Sequence, residues 1–267
     1  MDEPDIDYSG YADAAARAAV GDEAFSKFKQ DWHYAGSMLE QFHPGVEFLG
    51  YTACEWLTKT VQHMLPKLPW DKYRLNDTLG NPKLNEWAIL RAHGVPGECT
   101  FSHTTLRYVV TSLNILLTIG EKLDKLDTLR IVEVGGAYGG LCAILMWTLR
   151  HLKPGIQIDY TIIDLEGPRA LQSRYLTALG LDGVTCSSST DYNKGQTYDL
   201  FLSTYTLGEI PRAAQDEYIR DLVMRSRHGY IVWNRSEVHP TLRALNGLRE
   251  GPEAPAINNG TVRTLVY

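Results

Sequence analysis

The sequence lacks the features that mark several large classes of protein. Of its 267 residues only four are cysteine, and no two of them form a C-x-x-C pair. Scattered cysteines of this kind are typical of reduced thiols, and they exclude a zinc framework and a disulfide scaffold. The four are Cys54, Cys99, Cys142 and Cys186. The chain also has no internal repeat and no low-complexity segment.

Charge and hydropathy exclude two further kinds of partner. The formal net charge is -6 and no run of lysine or arginine occurs, which argues against nucleic-acid binding. The most apolar stretch, residues 113–119, is too short to span a bilayer. The first seven residues are acidic and lack the basic and apolar parts of a signal peptide, so we expect a cytoplasmic protein.

The most informative segment, residues 129–141, reads L-R-I-V-E-V-G-G-A-Y-G-G-L. An apolar β-branched run, a glycine-rich turn and helix-forming residues follow one another, which is how α/β folds hold a nucleoside-bearing cofactor. The dinucleotide pattern G-x-G-x-x-G is absent, and Glu133 precedes the first glycine by two residues. A carboxylate there would repel phosphates, but it can organise the ammonium and sulfonium end of S-adenosylmethionine (SAM). The expected SAM contacts in this segment are Glu133, Gly135, Gly136, Ala137, Tyr138 and Gly139. The alternative is an ordinary strand-turn-helix in which the glycines serve packing alone.

From residue 128 onward, strands and helices alternate, which predicts a Rossmann-like α/β domain with a parallel sheet wound on both faces. The predicted strands are 130–134, 157–165, 183–187, 199–204, 229–233 and 261–267, and the predicted helices are 141–151, 169–179, 212–225 and 239–248. The turn signal at 258–260 predicts a hairpin with the apolar pair 256–257. The region before residue 125 reads as helical, with helices at 12–29, 46–64, 85–93 and 102–123. The sequence therefore predicts a helical cap over residues 1–125 and a SAM-binding domain over residues 126–267.

Ligands of an open parallel sheet lie beyond the carboxyl ends of its strands, so the residues at those ends are the candidates. Asp164 ends the second strand, where a carboxylate accepts hydrogen bonds from two ribose hydroxyls. The alternative for Asp164 is a helix N-terminal acid favoured by the helix dipole. The polar run 187–191 suits an adenine edge, with a plain serine-rich loop as the alternative. Further cofactor contacts are expected at Leu165, Ser188 and Ser203.

The fourth predicted strand ends in S-T-Y-T-L-G-E-I-P over residues 203–211, which brings Tyr205 and Glu209 to the acceptor side. Glu209 could instead be an acid at the start of the next helix. The fifth strand is followed by Trp233, Asn234, Glu237 and His239. His239 precedes a proline, so a surface capping role is the alternative for it.

These motifs together resemble the class I SAM-dependent methyltransferases, and more narrowly the sugar O-methyltransferases. The resemblance lies in residues 132–141, in Y-T-I-I-D-L at 160–165 with L-Q-S-R-Y-L at 171–176, and in residues 199–211. T-T-L-R-Y at 104–108 is similar to the stretch that leads into the catalytic domain of that family. The resemblance covers about residues 100–240. One departure is Ala137, which stands where the family has the middle glycine of its loop.

The resemblance implies methyl transfer from SAM to a hydroxyl of a sugar or oligosaccharide, such as a mannose oligosaccharide in polysaccharide biosynthesis. A sugar hydroxyl is a weak acid, so a general base or a metal is expected. The catalytic candidates are Glu209, His239 acting with Glu237, and Tyr205. Acceptor contacts are expected at Arg107, Tyr108, His103, Trp233 and Asn234. A divalent ion such as Mg²⁺, if used, would be held by Asp191, Glu209 and Glu237.

Other functions stay open at this stage. One is an O- or N-methyltransferase for a small natural product, and another is a SAM-binding protein without activity. A NAD-linked reductase is disfavoured because G-x-G-x-x-G is absent. The expected partner is a carbohydrate or glycoside acceptor, with neither nucleic acid nor a membrane span. The oligomeric state is open, with a homodimer as one option.

Overall fold

The protein was analysed as a computed structural model, which describes residues 7–30, 46–123, 126–254 and 262–267, without the side chains of 46–48 and 121–123. The strands are β1 (Asn85–Glu86), β2 (Thr100–Phe101), β3 (Thr128–Val134), β4 (Gln157–Asp164), β5 (Val184–Ser188), β6 (Tyr198–Thr204), β7 (Ser226–Trp233), β8 (Arg249–Pro252) and β9 (Arg263–Val266). β1 and β2 form a small antiparallel pair, and the other seven strands form one sheet.

The seven-stranded sheet has the order β5-β4-β3-β6-β7-β9-β8. β5, β4, β3, β6 and β7 run parallel, and β9 is antiparallel to both β7 and β8. Chain order proceeds to one side from β3 through β4 to β5, and β6 then lies on the other side of β3. The carboxyl ends of β3 and β6 therefore form the topological switch point where ligands of such sheets bind.

Helices cover both faces of the sheet. In chain order they are α1 (Ser9–Val20), α2 (Asp22–Ser26), α3 (Val46–Thr60), α4 (Trp70–Asn76), α5 (Ala88–Ala92), α6 (His103–Leu123), α7 (Gly140–Leu152), α8 (Glu166–Ala178), α9 (Thr206–Glu209), α10 (Arg212–Asp221) and α11 (Pro240–Arg243). Successive side chains of a strand point to opposite faces. On β3, Ile131 accordingly joins the core under α6 and α7, and Val132 joins the core under α10 and α11.

The predicted α/β fold with a mostly parallel sheet is confirmed. Where boundaries differ, local chemistry explains the change. The helix predicted over 12–29 is interrupted at Gly21, whose backbone is extended. The helix predicted over 239–248 is only four residues long and begins after the His239 cap. On the side away from β7, β9 pairs with β8 at Arg249–Pro252. The segments 256–257 and 258–260 of the predicted hairpin lie outside the described residues.

One continuous core joins the N-terminal helices to the sheet. Ala15 and Ala18 of α1, Leu57 of α3 and the buried face of α6 pack into the same cluster as the sheet residue Ile131. The division into a cap and a SAM-binding domain at residue 125 stays a prediction. Among the described residues, no helix is both long and apolar enough to cross a membrane.

Candidate active site

The glycine loop between β3 and α7 is a tight turn at the switch point. Gly135 has a φ of 78°, and a Cβ atom there would lie 1.9 Å from Oγ1 of Thr206, which follows β6. Only glycine fits this approach. Ala137 also adopts a positive φ, of 49°, at the position where the sequence departs from the family pattern. Gly139 is the N-cap of α7, which begins at Gly140, so the free backbone N–H groups of this helix lie at this edge of the sheet.

Glu133 lies beneath the loop. Its side chain is 1% exposed and accepts a hydrogen bond of 2.8 Å from the Tyr160 hydroxyl on β4. Burial, with the nearby Asp164 charge, raises the pKa of Glu133 to about 8. A Cβ atom on Gly136 would lie 3.4 Å from Glu133 Oε2, so the carboxyl group contacts the loop itself. A contact between Glu133 and the cofactor stays a prediction.

Asp164 ends β4 beside the same loop. Its carboxylate accepts hydrogen bonds of 2.8 Å from the backbone N–H of Leu165 and from Nε2 of Gln172. Nε2 of Gln172 also donates to the Ala137 carbonyl at 2.8 Å, so this amide ties the acid to the glycine loop. Burial raises the pKa of Asp164 to about 7. Leu165, the next residue, is 38% exposed, which leaves an apolar side chain open beside the acid.

Two buried amide oxygens at this edge have no hydrogen-bond partner among the described residues. They are Oε1 of Gln172 on the Asp164 side and Oδ1 of Asn234 at the end of β7. A buried polar atom without a partner is costly, so a ligand that donates a hydrogen bond would be stabilised by either oxygen.

Glu209 forms the centre of the acceptor side. Its carboxylate accepts hydrogen bonds from the Tyr8 hydroxyl and from Nδ2 of Asn234. Burial and the Glu209 carboxylate raise the pKa of the Tyr8 phenol well above its usual range, so Tyr8 is a donor at neutral pH. Glu209 and Asn234 were both predicted site residues, and the structure brings them together.

Tyr205 forms a second tyrosine-carboxylate pair. Its hydroxyl donates to Glu253, which is 8% exposed, and the Arg107 guanidinium carbon lies 5.9 Å from the centre of its ring. The Tyr205 backbone has a φ of 71°, a conformation that bulky residues rarely adopt. It is held there by the hydrogen bond of 2.9 Å from its N–H to the Val232 carbonyl. Such strained residues concentrate at functional sites.

Two other acceptor-side candidates have structural contacts. Thr241 N–H donates to Nδ1 of His239 at 3.1 Å, and Nε2 of His239 lies 2.8 Å from Asp216 Oδ1. These contacts make His239 the N-cap of α11, with both ring nitrogens engaged. Glu237 is exposed, and its backbone carbonyl accepts a hydrogen bond of 3.1 Å from Trp233, whose ring is 2% exposed.

His103 and Tyr108 of α6 are both buried. His103 is 1% exposed, and burial, with Arg107 and Lys83 nearby, lowers its pKa to about 3. The imidazole is therefore neutral at physiological pH. Tyr108 packs edge-on against Tyr138, with ring centres 6.0 Å apart. Tyr138 is 1% exposed, which leaves its backbone rather than its ring for a cofactor.

The serine candidates differ in their contacts. Ser203 is buried, donates to the Val134 carbonyl at 3.1 Å and accepts from Leu207 N–H at 3.0 Å. It thereby joins the ends of β3 and β6. Ser188 is half-buried, and its hydroxyl contacts that of Thr190 at 3.0 Å.

The metal prediction is not supported. Within residues 7–30, 46–123, 126–254 and 262–267, no group of three or more histidine, cysteine, aspartate or glutamate side chains is arranged to hold an ion. Asp191, Glu209 and Glu237 therefore do not form a common site. Asp191 lies in the turn after β5, whereas Glu209 is bound to Tyr8 and Asn234.

Three residues of this edge were missed from the sequence. Tyr8 and Glu253 lie far along the chain from their partners, and no local pattern links them. Gln172 was within reach of prediction, because it lies eight residues after Asp164 on the helix that follows it. Two turns of helix return its side chain to the face above the acid.

Comparisons with known proteins give distant similarities. No protein-family model matches the chain, and no curated protein matches it. A structure of a point variant of MtNAS in complex with S-adenosylmethionine is 15% identical, with a TM-score of 0.46, over 96% of this chain and 97% of that one. A protein from Methanococcus maripaludis described as a SAM-dependent methyltransferase is 12% identical, with a TM-score of 0.42, over 60% of this chain and 84% of that one. Coclaurine N-methyltransferase is 10% identical, with a TM-score of 0.36, over 85% of this chain and 58% of that one. These values do not assign a family.

Proposed function

We propose that the protein is a SAM-dependent methyltransferase that transfers a methyl group to a hydroxyl of a sugar or oligosaccharide. The main support for the proposal is that Nε2 of Gln172 donates hydrogen bonds both to Asp164 and to the Ala137 carbonyl of the glycine loop. It fixes a carboxylate beside a left-handed turn at the switch point, which is the arrangement that a nucleoside with two ribose hydroxyls requires.

The residues present fit SAM. Asp164 can accept from the ribose hydroxyls, and the exposed Leu165 side chain offers an apolar surface to the adenine. The unpartnered Oε1 of Gln172 can accept a further hydrogen bond. Gly135 lets the loop pack against Thr206 without a clash, which holds the turn at the end of β3. The nearby acids Glu133 and Asp164 suit a cofactor with a cationic end.

The acceptor side is polar and mixed in charge, which supports a hydroxylated acceptor. Glu209 and Glu253 accept hydrogen bonds, and the unpartnered Oδ1 of Asn234 adds an acceptor. The Arg107 guanidinium beside the Tyr205 ring adds a group that has only donors. Several fixed donors and acceptors in one place match a molecule with several hydroxyl groups. The sugar itself is implied by the sequence resemblance and stays a prediction.

When bound, SAM supplies an electrophilic methyl group. In the proposed reaction, the acceptor oxygen forms a bond to this methyl carbon while the bond from carbon to sulfur breaks, and S-adenosylhomocysteine (SAH) leaves. Glu209 accepts the hydroxyl proton, and Tyr8 and Asn234 hold its carboxylate in place. Arg107 and Tyr205 orient the acceptor. Positioning of the two reactants supplies much of the rate in such reactions.

Transfer from SAM with a deuterium-labelled methyl group tests the proposal. The purified protein is incubated with a panel of monosaccharides, mannose oligosaccharides, aglycone phenols and amines, and products are identified by mass spectrometry. Labelled methyl on a sugar hydroxyl is the expected result. Label on a phenol or an amine would instead indicate a natural-product methyltransferase. SAM binding without SAH release across the panel would indicate a SAM-binding protein without transferase activity.

A further inference from the structure

Helix α1 and the residue before it reach across the edge of the sheet that holds the candidate site. Tyr8 donates to Glu209 after β6, and its phenol lies within electrostatic range of Asp164 at the end of β4 and of Arg235 after β7. The start of α1 therefore lies near both the cofactor side and the acceptor side of the candidate site.

The contact between α1 and α8 is close enough to fix this placement. Gly167, the second residue of α8, approaches the α1 backbone so tightly that a Cβ atom would lie 2.2 Å from the Ala12 carbonyl oxygen. At the other end of α1, the Arg174 guanidinium donates to the Ala18 carbonyl at 3.2 Å and forms an ion pair with Asp22. Two separate contacts thus dock α1 on the helix that begins directly after Asp164.

We propose that Tyr8 is a positioning residue for Glu209 and that docking of α1 on α8 places its hydroxyl beside the Glu209 carboxylate. The active site is therefore complete only when α1 is docked. This inference rests on the proposed function. A hydrogen bond to a charged group is stronger than one between neutral groups, so the Tyr8 hydroxyl restricts the Glu209 carboxylate more than water would. Because α1 also packs on the helix that follows Asp164, release of the nucleoside should be faster when α1 is undocked.

Two substitutions at opposite ends of this arrangement test the proposal. Tyr8→Phe removes the hydroxyl without changing the docking surface. Gly167→Ala leaves Tyr8 and Glu209 intact but places a methyl group against the α1 backbone. Gly120→Ala is the matched control, because a Cβ atom on this helical glycine of α6 meets nothing within 4 Å. Arg174→Ala undocks α1 from its other end, in case Gly167→Ala fails to fold.

The kcat, the KM for SAM, the rate of SAH release and the hydrogen exchange of the α1 amides are measured for each variant. We expect Tyr8→Phe to lower kcat about tenfold, with the KM for SAM changed less than about twofold. Gly167→Ala or Arg174→Ala should lower kcat similarly, speed exchange of the α1 amides and speed SAH release. The double variant Tyr8→Phe/Gly167→Ala should be little worse than the more impaired single variant, because both changes remove the same interaction. Gly120→Ala should match the parent.

Full kcat in Tyr8→Phe would overturn the positioning role. Unchanged kcat and unchanged SAH release in a variant with faster α1 exchange would overturn the docking requirement, as would multiplicative losses in the double variant. Failure of the proposed function is distinguishable from these results, because the parent protein itself would then release no SAH with any acceptor of the panel, or would bind neither SAM nor SAH.

Discussion

The hydroxyl of Tyr8 donates a hydrogen bond to the carboxylate of Glu209, which lies 201 residues further along the chain. Four residues before Glu209, Tyr205 donates to Glu253, 48 residues further on. The short segment at the end of β6 is therefore joined to the N-terminal helix on one side and to the residue after β8 on the other. The proposed acceptor site is assembled from three distant parts of the chain.

The first prediction concerns the ribose contact. Asp164→Ala should weaken SAM binding at least tenfold, because two hydroxyl donors lose a buried charged acceptor, and a hydrogen bond to a charge contributes about 1.5–3 kcal/mol. Calorimetric titration with SAM measures the change. Asp182→Ala, at an exposed acid in the turn before β5, is the control and should bind as the parent does. Equal affinities in the two variants would remove Asp164 from the cofactor site.

The second prediction concerns the glycine loop. Gly135→Ala should abolish measurable SAM binding and lower the free energy of unfolding by about 1–3 kcal/mol, since the new Cβ atom meets Thr206 and the backbone has a positive φ. Ala137→Gly is the converse change at a neighbouring left-handed residue, and it should preserve binding. Urea denaturation and SAM titration measure both properties. Tight SAM binding by Gly135→Ala would contradict the proposed role of the loop.

The third prediction concerns pH. Burial raises the pKa of Glu133 to about 8 and that of Asp164 to about 7, from ordinary values of 4.5 and 3.8. Between those limits the folded protein binds more protons than the unfolded chain, so stability falls as pH rises. Below about pH 6.5 the buried His103, whose pKa is lowered to about 3, has the opposite effect, so the Tm of the ligand-free protein should decrease most clearly from about pH 6.5 to pH 8. Glu133→Gln should flatten this decrease, and an unchanged slope would assign the effect to other groups.

SAM should bind more tightly at pH 8 than at pH 6, because ribose hydroxyls donate to ionised Asp164.

The fourth prediction concerns the proposed base. Glu209→Gln keeps the shape of the side chain but removes the proton acceptor, so kcat should fall about 100-fold while SAM affinity stays within about twofold. Single-turnover kinetics with the best acceptor separate these effects. Glu217→Gln is a control for loss of one surface carboxylate, because Glu217 lies on α10 and forms an ion pair with Lys194. Wild-type kcat in Glu209→Gln would exclude this residue as the base.

Much of the fold could be predicted from the sequence, because its signals are local. The alternation of apolar runs and helical segments after residue 128 predicts the parallel strands, and Gly135 and Asp164 lie at strand ends as expected. The turn requires glycine at position 135, since a Cβ atom there would overlap Thr206. Patterns of this kind depend on neighbours in sequence.

The acceptor side was less predictable because its contacts are distant in sequence. The sequence predicts a catalytic role for His239, with a capping role as the alternative, and in the structure its ring caps α11. Tyr8 lies before the helix predicted over 12–29, and no motif marks it. Glu253 follows a short strand and carries no motif. The pairing of these residues with Glu209 and Tyr205 follows from the docking of α1 and of β8, which composition and periodicity do not encode.

The proposed function requires that the edge formed by β3, β4 and β6 binds SAM, which calorimetric titration of the intact protein measures. SAM and SAH should each bind with one-to-one stoichiometry, NAD should give no binding heat, and Asp164→Ala should weaken both SAM and SAH. Binding of NAD in place of SAM, or no heat with either SAM or SAH, would contradict the account.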